Sequence, residues 1–124
     1  MATVVNNDDF RTKIAGEDLS SSKYMFVTLE SDDTVDLCDA ITDRPFGVLQ
    51  NSPVAGESAV VKVSGDTKVI AAGALTVGLY VATTAAGLAQ TATNAQFARG
   101  SVVSPAGAAN DIAVIQLFLD ASNS

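Results

Sequence analysis

From Lys23 onward, apolar and polar residues alternate in short runs, and each run breaks at a turn-forming residue. Side chains two positions apart share one face of a strand, so a chain patterned this way is committed to β-structure. Tyr24, Phe26 and Thr28 alternate with Met25, Val27 and Leu29 before the turn Glu30-Ser31-Asp32-Asp33. Val35, Leu37 and Cys38 suggest a short second strand, residues 41–45 a connection broken by Asp43 and Pro45, and residues 46–49 a further strand. Asn51-Ser52-Pro53 and Ala55-Gly56-Glu57 lead into residues 58–64, where Ala59, Val61 and Val63 alternate with Ser58, Val60, Lys62 and Ser64. Gly65-Asp66 reads as a hairpin turn into residues 67–71.

Gly73, Gly78 and Gly87 then punctuate short strands at 79–83 and 88–91. Residues 100–104 and 112–119 are β-branched or apolar runs separated by Pro105-Ala106-Gly107, with Asp111 opening the last. The Ala-rich stretch 85–98 is a weak helix candidate, because Gly87 and its Thr and Asn residues lower helix propensity and it shows no amphipathic face. No internal repeat of fixed period suggests a solenoid. The expected fold class is all-β, a compact antiparallel β-barrel or sandwich of about eight short strands with an extended N-terminal arm. Residues 1–22, which lack a convincing period, read as that arm followed by a loop, residues 23–120 as a single β-domain and residues 121–124 as a short tail.

A chain of 124 residues can bury one core. With seven aromatic residues and no Trp, that core must come from Ala, Val, Ile and Leu, each of which buries modest area. Association with partners is then expected to supply part of the working stability.

The formal charge of -7 opposes nucleic-acid binding, which needs clustered Lys and Arg, whereas the seven bases here are scattered. Eleven of the fourteen acids lie at or before Glu57, and residues 69–98 carry no charged side chain, so the two halves must face different environments. Gly73, Gly78, Thr83, Thr84, Gly87, Gln90 and Thr91 interrupt that uncharged stretch too often for a membrane-spanning helix. Asn6, Asn7, Asp8 and Asp9 are unlike a secretory signal, so synthesis in a cytoplasm is expected.

No enzyme inventory is present. Without His there is neither a Ser-His-Asp triad nor a Cys-His pair, the Ser-Ser-Lys run at 21–23 reads as adjacency and not as a site, and Gly73 and Gly78 lack the Lys-Ser/Thr of a phosphate-binding loop. The lone Cys38 reads as a small buried apolar residue. Asp32, Asp33, Asp36, Asp39 and Asp43 form the only dense acidic cluster, but they lack the spacing and closing Glu of a calcium loop and read as solvated turns. No metal and no cofactor is expected. The uncharged Ala/Gly/Thr-rich stretch has two readings, an association surface or ordinary small-residue core and edge strand.

The segment Phe46-Gly47-Val48-Leu49-Gln50-Asn51-Ser52-Pro53-Val54-Ala55-Gly56-Glu57, then Val61-Lys62-Val63-Ser64-Gly65-Asp66-Thr67-Lys68-Val69, then residues 71–78, resembles a family of small tailed-bacteriophage virion proteins, the capsid cement or decoration proteins. Asp18-Leu19-Ser20 followed by Tyr24, Val27 and Leu29 is similar to that family's opening strand, so the resemblance spans roughly residues 10–118. It implies a β-rich protein, made in the host bacterial cytoplasm, that binds the major capsid protein on the outer surface of the virion shell and stabilises it. It also implies a homotrimer, with a dimer as the alternative, and no nucleic-acid or membrane partner. A virion-surface adhesin or receptor-binding domain is the second reading, using loops 32–36 or 51–57. The residues expected at capsid or intersubunit contacts are Phe10, Arg11, Ile14, Phe46, Leu49, Asn51, Pro53, Leu75, Phe97 and Arg99. Net negative charge implies attraction to basic patches on the shell.

Overall fold

The computed structural model describes residues 10–41, 43–92 and 98–117. They form ten strands and no helix: β1 (Phe10–Ala15), β2 (Phe26–Leu29), β3 (Thr34–Leu37), β4 (Gly47–Leu49), β5 (Ser58–Lys62), β6 (Gly65–Ile70), β7 (Tyr80–Thr83), β8 (Ala89–Thr91), β9 (Gly100–Ser104) and β10 (Ile112–Leu117). The first five close into a barrel in the order β1-β3-β2-β4-β5, and the last five form a separate sheet in the order β6-β10-β9-β7-β8. The all-β expectation holds, with a barrel and a packed sheet together in one chain. Pairing is antiparallel except for β1 on β3 and an isolated bridge between Ala71 and Ala89.

Alternation along the strands creates two cores. In β2, Val27 points into the barrel with Leu19, Val35, Leu49, Ala59 and Val61, while its neighbour Phe26 points out of it. Phe26, Cys38 and Val48 thus form the apolar outer wall of the barrel, on which the second sheet lays Val69, Val81, Val102, Ala113, Ile115 and Leu117. A strand buried on both faces reads as continuous apolar sequence, which explains why residues 24–29 carry so few polar positions. β10 shows the one-sided pattern, with Ala113, Ile115 and Leu117 buried and Ile112 and Gln116 exposed.

Backbone bonds staple the layers. Tyr24, in a left-handed conformation at φ 68°, donates to Leu49 O at 2.7 Å and accepts from Ile70 N at 3.0 Å, linking β4 to β6. Phe26 N donates to Gly87 O at 2.8 Å. Gly87 has φ 79°, and a Cβ there would lie 2.5 Å from Leu37 Cδ1, so the β7–β8 turn can seat against the barrel only without a side chain. Arg99, only 5% exposed, donates from the second sheet to Pro45 O at 3.0 Å, Phe46 O at 2.9 Å and Val63 O at 2.9 Å.

Two expectations are corrected. Residues 10–22 are no free arm: β1 pairs with β5 and β3 to close the barrel, and Leu19 is buried inside it. Gly65-Asp66 does not turn a hairpin, because β5 and β6 belong to different sheets and Gly65, at φ 86°, ends the crossing between them and pairs with Leu117 of β10. Residues 1–9 and the 121–124 tail lie outside the described residues.

Candidate interaction surfaces

The motif carrying the family resemblance is spent on the fold. A Cβ on Gly47 would collide with the backbone oxygen of Lys62. Val48 and Leu49 enter the two different cores. Gln50 Nε2 donates to Val48 O at 3.0 Å and to Thr67 Oγ1 at 2.9 Å, tying barrel to second sheet. Asn51 clamps β5, donating to Ser58 O at 3.0 Å and accepting from Val60 N at 3.1 Å. Buried Pro53 presents its carbonyl to Leu19 N at 2.9 Å.

The expected contact residues therefore divide. Leu49, Pro53, Leu75 and Arg99 are buried within the chain, and Asn51 is half-buried with its amide committed to β5, so these side chains hold the fold. Phe46 packs against the barrel core. Phe97 lies outside the described residues. Phe10, Arg11 and Ile14 are exposed, together on β1.

That strand forms the first surface. Phe10 and Ile14 are half-exposed on the outside of β1, opposite Lys62 and Ser58 of β5, and the Lys62 ammonium sits 4.8 Å from the Phe10 ring centroid. Lys13 reaches Asp33 at 2.8 Å. The result is an apolar stripe bordered by charge, on a part of the barrel wall that the second sheet leaves uncovered.

The second surface is an acidic groove of ≈ 690 Å³, lined by Glu17, Glu30, Asp36, Asp39 and Asp43 with Leu29, Leu37, Cys38 and Ala85. Several of these acids organise backbone: Glu17 accepts from Leu37 N at 2.9 Å, and Asp43 accepts from Asp39 N at 2.9 Å and Ala40 N at 3.2 Å. Asp32 closes the β2–β3 turn by accepting from Thr34 Oγ1 at 2.6 Å, which lowers its pKa. Burial, reinforced by Glu17, raises the pKa of Asp36, whose Oδ1 is enclosed without a hydrogen-bond partner. Burial likewise pushes the Cys38 thiol up to about 12. Among the described residues no group of three or more His, Cys, Asp or Glu side chains is placed to hold a metal ion.

The third surface is neutral. The turn Thr76–Leu79, closed by Leu79 N to Thr76 O at 3.2 Å with Gly78 at φ 91°, projects Val77 and Leu79 beside Tyr80. Gly78 N and Leu79 O both bond to Val102, and the next residue, Val103, faces outward at a bulge in β9. Sequence reasoning raised the uncharged stretch as an association surface but named in it only Phe97, outside the described residues, and Leu75, which faces the core. The signal available was the pair of apolar residues flanking a turn glycine.

Comparison with known proteins adds a structural match. No protein-family model and no curated protein matches the sequence. A solved structure described as the head fiber gp8.5 N base of bacteriophage phi29 superposes with a TM-score of 0.65, covering 88% of this chain and 92% of that one at 18% identity. At that identity, what the two chains share is the fold.

Proposed function

We propose that this chain is a non-catalytic structural protein of a tailed-bacteriophage virion, of the capsid cement or decoration kind, which binds the major capsid protein on the outer surface of the shell and stabilises it as a homotrimer. The observation that carries this reading is the near end-to-end structural match to a phage head-fibre base. The resemblance in residues 46–57 and 61–69 points the same way, and in this chain that motif welds barrel to sheet. The β1–β5 stripe, with Phe10, Ile14 and Lys62, is the face we assign to the shell, since it is apolar, rigidly held in a closed barrel and bordered by charge. A subunit bridging neighbouring capsid proteins adds its buried interface to whatever must be broken when the shell fails.

The second reading, a virion-surface adhesin, would use the acidic β2–β3 loop. Copy number separates the two. Quantitative mass spectrometry of purified virions should find this chain in hundreds of copies per particle, on the order expected for a lattice-wide cement. A handful of copies would support the adhesin instead, and absence from the particle would end both.

A further inference from the structure

We propose that the neutral patch formed by the Thr76–Leu79 turn, Tyr80 and the β9 bulge is the contact between copies of this chain. Val77, Leu79, Tyr80 and Val103 are each between 44% and 59% exposed. The turn, whose positive-φ Gly78 is flanked by apolar residues, puts Val77 and Leu79 outside, and Val103 faces outward beside them in alternation with buried Val102. Turn tips and bulges normally carry polar side chains, and four large apolar groups clustered there mark an association surface.

Charge identifies the occupant. Copies of a chain with net charge -7 repel one another, and the repulsion is greatest where carboxylates would be pressed together and desolvated. Exposed Leu29 and Ile41 lie beside Glu30, Asp39 and Asp43, and Phe10 and Ile14 lie beside Arg11, Lys13 and Lys62. Val77, Leu79 and Tyr80 sit within the stretch 69–98 that has no charged residue, and Val103 lies in the uncharged run 100–110. Strand register places Ser101 and Gln116 next to Tyr80, and Ser104 and Val114 in the adjoining row, before Asp66 and Lys68 are reached on β6. A charged partner face would lose its hydration here and find no counter-charge, whereas three copies meeting about a three-fold axis each bring an equally neutral apolar face. A standard interface buries roughly 800 Å² per partner, so the four apolar groups form its centre and Thr76, Ser101, Ser104 and Gln116 its polar rim.

This inference rests on the homotrimer proposed above and locates its interface, leaving the β1–β5 stripe for the shell. The test is light scattering of the purified chain and of Leu79→Glu and Val77→Glu, with Ile14→Glu as the control and circular dichroism to verify folding. The expected result is wild type and Ile14→Glu at three times the 12.6 kDa chain mass, and both turn variants at one chain mass with unchanged spectra. Trimeric turn variants would overturn the inference while leaving the trimer standing. A wild-type chain that stays monomeric at high micromolar concentration would overturn both the inference and the trimer. Sedimentation of the same proteins with capsid shells reports on the shell-binding role separately.

Discussion

Replacing Arg99 with Met keeps the aliphatic stem and removes the guanidinium that joins the second sheet to the barrel. The wild-type group donates to Pro45 O, Phe46 O and Val63 O at 2.9–3.0 Å. Hydrogen bonds to a charged group contribute about 1.5–3 kcal/mol each, so three represent roughly 5–9 kcal/mol gross. Removing the charge also relieves a desolvation cost of several kcal/mol, and the orphaned carbonyls regain partial solvation as the joint loosens. The net loss is about 3 kcal/mol, a large share of the roughly 5–15 kcal/mol that holds a typical domain. In a chain of this size that is on the order of a 10 °C fall in Tm. Urea unfolding followed by circular dichroism measures it, and Arg99→Lys, which can satisfy fewer of these carbonyls, should fall between. Amide exchange should quicken at Arg99 and Phe46, on both sides of the joint, because their N–H groups donate to Val81 O at 2.9 Å and to Val27 O at 2.8 Å. A loss below about 1 kcal/mol in Arg99→Met would refute the reasoning.

Three further predictions follow from individual contacts. Gly87→Ala combines strain at φ 79° with a clash on Leu37 and should cost about 2–3 kcal/mol by urea midpoint, whereas Gly56→Ala, at φ 88° with nothing within 4 Å, should cost about 1 kcal/mol. Cys38, with its thiol pushed up to about 12 by burial, should react with a thiol reagent at pH 8 about 1,000-fold more slowly in the folded chain than in urea; comparable rates would contradict its place in the core. For Asp36 the folded pKa is raised, so the folded chain holds this proton more tightly than the unfolded one, and the group's stabilising contribution fades as pH rises from the ordinary carboxylate range through the folded value. Asp36→Asn should therefore raise Tm at pH 7 and converge with wild type near pH 3, as followed by thermal melts across pH; a lower Tm at pH 7 would reverse the sign argued for this group.

Alternation made most of the strands legible because β5, β6, β9 and β10 each bury every second residue against a core. β1 escaped it: along Phe10–Ala15 only Ala15 is fully buried, since the strand's outer face meets no second layer and it meets β3 only at Ile14 and Ala15. A strand held by backbone pairing at a barrel seam leaves little hydrophobic period in its sequence. The crossing at Gly65-Asp66 was misread for a different reason, because a positive-φ glycine serves a hairpin and a change of sheet equally well, and only the distant pairing of β6 with β10 decides between them. The surface was hardest to read. Leu49, Leu75 and Arg99, expected at contacts, have their side chains consumed inside the molecule, while Phe10 and Ile14 are on the surface. Net charge also obscured local charge: the expectation of basic patches on the shell came from the whole-chain value, whereas the stripe assigned to the shell is bordered by Arg11 and Lys62.

The central claim is attachment to a phage shell, and cosedimentation of the purified chain with expanded capsids that lack it tests this most directly. The account predicts saturable binding at a fixed ratio to the major capsid protein, weakened by Phe10→Glu or Ile14→Glu, with the decorated particles surviving heat or osmotic shock better than bare ones. A chain that stays in the supernatant with competent shells, or binds without saturation, would contradict it.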